Sequence, residues 1–231
     1  MKVVVLTGAG ISAESGIRTF RDNNGLWENH RIEDVATPEA FARDPALVHE
    51  FYNARRAQLD ESTLKPNAAH QALVRLEDAL GNDFLLVTQN VDDLHQRAGS
   101  QRVLQMHGSL REFLCLHCQG TGDVAGPMDT QTPCPLCGKT QGMRPNIVWF
   151  GEMPHYLDEI YAALESCDIF LSIGTSGNVY PAAGFVALAN SAKAHTVELN
   201  LEPSNQNSNF KEHHHGPATK IVPQWVDAFL A

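Results

Sequence analysis

The sequence predicts an α/β protein: a doubly wound, mostly parallel sheet beside a smaller lobe built from two inserts. Three observations predict it. Short, almost continuous apolar runs recur, each ending in a glycine- or asparagine-containing turn. Helical patterns separate those runs. Two stretches, one helical and one rich in cysteine, glycine and proline, break the alternation. Strands this apolar are buried on both faces, the habit of parallel sheets, and strands alternating with helices read as a doubly wound fold.

Residues 3–6 form the first run, before Thr7-Gly8-Ala9-Gly10. Residues 38–42 and 45–59 then read as two helical pieces with no strand signal between them. In residues 67–80, Ala69, Leu73, Leu76 and Leu80 recur at helical steps and Gly81 occupies the stop position. The second strand, 84–87, precedes Thr88-Gln89-Asn90. Helices over 154–164 and 181–189 each open on a proline, which suits a first helical turn. Between them Ile169–Ile173 leads into Gly174-Thr175-Ser176, and 196–199 leads into Asn200. Residues 223–230 read as a closing helix. The expected organisation is a large α/β domain from 1–27, 63–110 and 148–231, with a helical insert at 28–62 and a cysteine-bearing insert at 111–147. His213-His214-His215 reads as a surface loop rather than a metal site, because no cysteine or regular ligand spacing adjoins it.

Composition narrows the function classes. With 231 residues, 43% hydrophobic and 19% charged, the chain can bury a sizeable core. Its 17 Lys+Arg against 27 Asp+Glu leave a formal charge of −10, which argues against bare nucleic acid or an anionic membrane as main partner. No run approaches the roughly 20 apolar residues of a membrane span, and the N-terminus lacks a secretory apolar region. A cytoplasmic monomer is expected.

Four of the five cysteines form two C-x-x-C pairs, Cys115/Cys118 and Cys134/Cys137, fifteen residues apart. The spacing fits a four-cysteine zinc site, and four thiolates fill a tetrahedral shell, so the zinc would be structural. Free thiols and an iron–sulfur cluster are the alternatives. Cys167 reads as a buried thiol. Gly8-Ala9-Gly10-Ile11-Ser12-Ala13 follows a strand and fits G-x-G-x-x-A, whose glycines would let backbone N–H groups approach a pyrophosphate at a helix N-terminus, as in Rossmann-like domains. The acidic residue expected about 20 positions on, at the end of a second strand, is missing. Residues 15–27 are polar and glycine-punctuated instead, a poor match to a hydride-transfer dehydrogenase.

These motifs resemble, in order and over almost the whole chain, those of the sirtuins, NAD-dependent protein-lysine deacylases. Gly8-Ala9-Gly10-Ile11-Ser12, Ser15-Gly16-Ile17 and Phe20-Arg21 resemble the first motif, and Gln89-Asn90-Val91-Asp92 the second. His107-Gly108 resembles the catalytic histidine motif, the cysteine pairs follow at the family's place, and Gly174-Thr175-Ser176 and Asn200-Leu201-Glu202 resemble the later nucleotide motifs. The resemblance implies NAD as co-substrate and one structural zinc. It implies catalytic roles for His107, as general base on the ribose, and for Asn90 and Asp92. Further NAD contacts would come from Glu14, Phe20, Arg21, Trp27, Gln89, Val91 and Ala218. The products would be nicotinamide, free lysine and O-acyl-ADP-ribose. Acyl-lysine proteins would bind as an extended peptide between Val148, Phe150, Gly151 and Glu152 on one side and Gly177, Asn178 and Val179 on the other. By itself, one histidine among eleven says little; the resemblance is what singles out His107.

Tyr52 and Arg55, three residues apart in a helical pattern, share a face, and a phenol with a guanidinium could grip a carboxylate. The pair resembles the Tyr-x-x-Arg motif of class III sirtuins, and Ala36 the small residue that widens their acyl pocket. Succinyl- or malonyl-lysine is therefore the expected preference, with deacetylation retained. A zinc-containing NAD-dependent oxidoreductase, a non-catalytic acyl-lysine binding module and ADP-ribosyl transfer to protein stay open as alternatives.

Overall fold

Each residue of the first strand already announces the layering. In β1 (Val3–Thr7) all five residues are buried, Val3 and Val5 toward one face of the sheet and Val4 and Leu6 toward the other. The computed structural model describes residues 1–17, 26–27 and 30–231. After β1 come an antiparallel pair of strands, β2 (Leu26–Trp27) and β3 (His30–Arg31), then α1 (Ile32–Val35), α2 (Pro38–Arg43) and α3 (Pro45–Leu59). α4 (Ala68–Leu80), β4 (Phe84–Thr88), α5 (Leu94–Ala98) and β5 (Val103–Gln105) return to the main sheet. β6 (Gly108–Cys115), β7 (Thr121–Asp123) and β8 (Met143–Ile147) form a separate antiparallel sheet. α6 (Leu157–Leu164), β9 (Ile169–Ile173), α7 (Phe185–Ser191), β10 (His195–Asn200), β11 (Glu212–His215) and α8 (Ala218–Leu230) complete the chain.

The main sheet has the order β11-β10-β9-β1-β4-β5, and every pairing in it is parallel. Leu73 and Leu76 of α4 and Val222 and Val226 of α8 cover the face of Val3 and Val5. Ile160 and Leu164 of α6 and Phe185 and Val186 of α7 cover the face of Val4 and Leu6. From β1 the chain moves outward to β4 and β5, then crosses back to β9, so the direction of winding reverses between β1 and β9. Ligands of open α/β sheets sit at such a reversal, outside the carboxyl ends of the strands.

The small lobe has its own two cores. One joins Val48, Phe51 and Tyr52 of α3 to Leu110, Ile147 and Trp149; the other holds Phe113, Cys115, Met128, Cys134 and Met143. Arg56 of α3 ties the helices to β6 by donating from Nε to the Leu110 carbonyl (2.8 Å). Among the described residues, no helix is long and apolar enough to cross a membrane.

Several sequence expectations need correction. The histidine run is not a loop: it is edge strand β11, paired to β10. The closing helix begins at Ala218, not 223, and Pro223 lies inside it. Entry over 154–164 becomes helical only at Leu157, after Tyr156 in a left-handed conformation (φ 61°). Pro181 precedes a 3-10 turn, Ala182–Gly184, before α7 starts. The glycine loop opens two 3-10 turns, Ala9–Ile11 and Ala13–Ser15, where the sequence reading expected a helix.

Candidate active site

At the carboxyl edge of β1 and β9 two loops meet with no room for side chains. Gly10 N–H donates to the Gly174 carbonyl (2.8 Å) and Gly8 N–H to the Ile173 carbonyl (2.9 Å). A Cβ on Gly8 would stand 2.8 Å from the Gly174 oxygen, one on Gly10 2.7 Å from Gly174 Cα, and one on Gly174 2.5 Å from Ile11 N. Gly174 also has φ +63°, a region that disfavours side chains. The glycines therefore serve the close approach of the two loops first, and the loop's N–H groups at positions 8 and 10 are spent on that contact.

Behind Ala9 and Gly10, Ser12 anchors a buried polar layer. Its hydroxyl donates to Asp92 Oδ2 (3.1 Å) and accepts from Asn90 Nδ2 (3.2 Å). Asp92 Oδ1 accepts from the Leu94 N–H (3.0 Å) at the start of α5. Burial pushes the Asp92 carboxyl up to about 6. Beneath lie two histidines that sequence reasoning missed. His70 of α4 and His95 of α5 are fully buried, with ring centroids 4.9 Å apart. His95 Nε2 contacts Thr7 Oγ1 (3.0 Å), which donates to Thr88 Oγ1 (2.8 Å). Burial brings His70 down to about 4 and, with His70 beside it, holds His95 well below the ordinary imidazole range. Both are neutral. His70 Nδ1 accepts from the Asn67 N–H in a capping box at the start of α4, so the spacing Asn67-x-x-His70 was the signal that could have found it.

His107 lies between β5 and β6, half-buried, with Nδ1 3.1 Å from the Gln89 carbonyl. A carbonyl only accepts, so Nδ1 carries the proton and Nε2 keeps its lone pair. Burial outweighs the bond to Gln89 and, with the His155 imidazole near, lowers the His107 pKa from its ordinary value. Gln89 in turn donates from Nε2 to Thr175 Oγ1 (3.1 Å), and Asn200 Nδ2 donates to the Thr175 carbonyl (2.7 Å). The structure thus brings together Gly8–Ser12, Gln89, Asn90, Asp92, His107, Gly174, Thr175 and Asn200. Val91 turns toward the small lobe's core, and its carbonyl accepts from Leu110 N–H. Leu201 and Glu202 are exposed just beyond Asn200. Ser176 and Ala218 are half-buried, and Ala218 opens α8. The carboxylate of Glu14 accepts from Thr219 N–H (2.9 Å) and Oγ1–H (2.7 Å), capping α8. Phe20 and Arg21 lie outside the described residues.

The segment expected to hold peptide is braced from behind. Val148 N–H donates to the His107 carbonyl (2.9 Å) and Phe150 N–H to the Ala36 carbonyl (3.0 Å), so one strand end links His107 to α1. Glu152 is committed to Arg144 (2.6 and 2.9 Å) and to Trp149 N–H (2.8 Å), and the Arg144 guanidinium lies 3.4 Å from the Trp149 ring centroid. No sequence spacing reveals that brace. Gly151 is exposed at the turn with φ +92°. Gly177 is buried with φ +72°, while Asn178 and Val179 are exposed. Tyr52 is buried, its hydroxyl accepting from Trp149 Nε1 (2.8 Å), and burial raises the phenol pKa. Trp27 packs edge-on against Tyr52 (5.7 Å) and Phe51 (4.9 Å). Arg55 is half-buried, with its guanidinium 5.2 Å from the Phe51 ring centroid. A cleft of about 650 Å³ opens between α2, α3 and β8, but Glu152 is the one expected site residue that lines it.

The four cysteine sulfurs lie within 4.8 Å of one another, with Cys115–Cys137 at 3.8 Å and Cys118–Cys134 at 3.9 Å. A tetrahedron with Zn–S bonds of ~2.3 Å has edges of ~3.8 Å, so the thiolates fit one zinc ion and leave no open position. Each knuckle closes through a left-handed residue, Gln119 (φ 58°) or Gly138 (φ 73°), whose N–H donates back to the carbonyl of Cys115 or Cys134.

Comparison with known proteins adds the following. The model of the family described as Sir2 matches residues 8–181. An NAD-dependent protein deacylase of Bdellovibrio bacteriovorus is 61% identical over 228 residues, covering 99% of this chain and 96% of that protein. One from Escherichia coli K12 is 58% identical over 229 residues, covering 99% and 82%. Among solved structures, a Sir2 homologue in complex with NAD is similar at a TM-score of 0.87 and 38% identity, covering 98% of this chain and 88% of that one. Sir2Af2 bound to a myristoylated histone peptide is similar at 0.75 and 33%, covering 98% and 89%.

Proposed function

The chain belongs to the Sir2 family, and from that premise we propose that it is an NAD-dependent protein-lysine deacylase acting on acylated proteins bound as extended peptides. The observation that carries the reading is the setting of His107: neutral, half-buried, proton fixed on Nδ1 by the Gln89 carbonyl, Nε2 left as a base. NAD, when bound, supplies a cleavable bond from ribose to nicotinamide and ribose hydroxyls able to receive an acyl group. His107 Nε2 takes the proton from a ribose hydroxyl. Ser12, Asn90 and Asp92 would line the ribose and nicotinamide end, and the loops that Gly8, Gly10 and Gly174 bring together would leave space free of side chains for the phosphates. Gln89 and Asn200 fix Thr175 on the adenosine side. Residues 148–151 and 177–179 present backbone to the substrate peptide; Glu152 acts through Arg144 and the Trp149 N–H to keep that edge straight. The cysteines hold one structural zinc. The five-segment organisation, a cytoplasmic monomer and the absence of nucleic-acid partners belong to the same reading.

Mass spectrometry of products from NAD and an acyl-lysine peptide tests it. Nicotinamide, free lysine and acylated ADP-ribose are expected. NADH absorbance would make the chain an oxidoreductase, and a peptide bound but unchanged would make it a binding module.

The proposal extends to acidic acyl groups. α3 places Tyr52 and Arg55 on one face, the Ala36 methyl packs in the same core as Tyr52, and a guanidinium fork matches a carboxylate bidentately. Charge-assisted bonds contribute about 1.5–3 kcal/mol, so Arg55→Met should lower kcat/KM on a succinyl-lysine peptide roughly 10- to 100-fold while sparing the matched acetyl peptide. Equal loss on both, or none, removes Arg55 from that role.

A further inference from the structure

Strand geometry divides the histidine run that looks uniform in sequence. In β11, His213 and His215 face one side and His214 the other. The parallel register sets Glu198 of β10 beside His213, and Asn200 beside His215. Glu198 is 1% exposed, and its Oε1 is buried with no hydrogen-bond partner among the described residues. Its Oε2 lies 2.5 Å from Asn207 Nδ2 and 3.4 Å from His215 Nε2. The same Asn207 nitrogen lies 3.0 Å from His213 Nδ1 and 3.5 Å from His215 Nε2. Three metal-ligating atoms, from two strands, surround one point now filled by a side-chain amide. The two imidazoles stand nearly parallel, 6.3 Å apart with planes at 21°.

We propose that Glu198, His213 and His215 form a second metal site, distinct from the four cysteines, for a divalent first-row transition ion such as Zn²⁺ or Ni²⁺. Two imidazoles and one carboxylate suit those ions, whereas Ca²⁺ and Mg²⁺ take oxygen ligands. The arrangement is wider than the cysteine cluster. Ligand distances of about 2.0–2.2 Å require each group to close on the central point by up to about 1.5 Å. Side-chain rotation supplies this for the histidines, which are exposed on an edge strand. Swinging the Asn207 amide out of that point admits the ion and leaves its Oδ1 beside it as a fourth ligand. The ion would also compensate the buried negative charge of Glu198. The opposite side of the strand provides a control. There Glu212 already accepts from His195 (2.7 Å), His214 (2.6 Å) and Trp225 Nε1 (3.2 Å), so its carboxylate is occupied within the protein. An ion between Glu198 and the two histidines would pin the 201–211 connection to β10 and β11.

The test is calorimetric titration of Zn²⁺ into protein already carrying one zinc per chain, in a buffer that does not chelate metal. One further equivalent is expected, together with a higher Tm. His213→Ala and His215→Ala should each weaken the second equivalent by roughly 100-fold and abolish the rise in Tm. His214→Ala should leave both unchanged. Co²⁺ bound in the second equivalent should lack the thiolate charge-transfer absorption of the cysteine site. Any of three results overturns the proposal: no second equivalent, one that survives both His213→Ala and His215→Ala, or one lost equally in His214→Ala.

Discussion

An imidazole works as a base when one nitrogen is held and the other is free, and the Gln89 carbonyl performs that holding for His107. His107→Ala should lower kcat by roughly 10²- to 10⁴-fold with the fold intact by circular dichroism. Because burial depresses its pKa, the acid limb of kcat/KM should fall below the ordinary imidazole value of ~6.5. His155 contributes to that depression, so His155→Ala should move the limb to higher pH. Asp92 behaves in the opposite sense. Its folded pKa, about 6, lies above the ordinary 3.8, so its contribution to stability is full below about 4 and is lost as pH rises through 6. Asp92→Asn should therefore raise stability at pH 7, on the order of 2 kcal/mol, while impairing turnover. The gap in Tm should close below pH 4; a gap independent of pH would mean that burial of charge is not its origin. At this scale the sequence was readable where chemistry is local. Two C-x-x-C pairs and G-A-G declare themselves by spacing. The bond from Ser12 to Asp92 spans 80 positions and that from Trp149 to Tyr52 spans 97, and no periodicity encodes either.

Single elements carry separable loads. Asn67 caps α4, and its Nδ2 also reaches the Ile11 carbonyl (2.8 Å) and Ser15 Oγ (2.9 Å), tying the helix to the loop after β1. Asn67→Ala should destabilise by about 1–2 kcal/mol in denaturant titrations and weaken NAD binding by loosening that loop. At its cysteine end the β6–β8 sheet packs on a cluster of five buried residues, two of them zinc ligands, so that end cannot hold its shape by apolar burial alone. Cys134→Ser should abolish the structural zinc by metal analysis and melt this sheet before the rest. Buried strands were legible because burial writes itself as apolar runs. β11 was not, because an edge strand whose residues are exposed or half-buried carries no such run. The α8 boundary misled for a related reason. Proline reads as a helix opener, yet here Ala218–Val222 already form the first turn, and Pro223 removes a single i→i−4 bond inside.

At the scale of the molecule, the winding reversal between β1 and β9 places the glycine loops, while the small lobe carries the 148–152 edge to His107. NAD should bind across the glycine loops and the layer of Ser12, Asn90 and Asp92. At a hundredfold excess over Kd it should add about 2.7 kcal/mol to stability, read as a rise in Tm, with no comparable effect of free nicotinamide. Alternation of strand and helix sufficed to anticipate the doubly wound sheet; the reversal itself emerges only once β9 is seen beside β1, since sequence order does not state strand order. The contact among Gly8, Gly10 and Gly174 has an evolutionary corollary. Neither loop can acquire even a methyl group while its counterpart stays unchanged, although more than 160 positions of chain separate them. They must be inherited as a pair, and any attempt to graft one onto a foreign scaffold has to transplant the other with it.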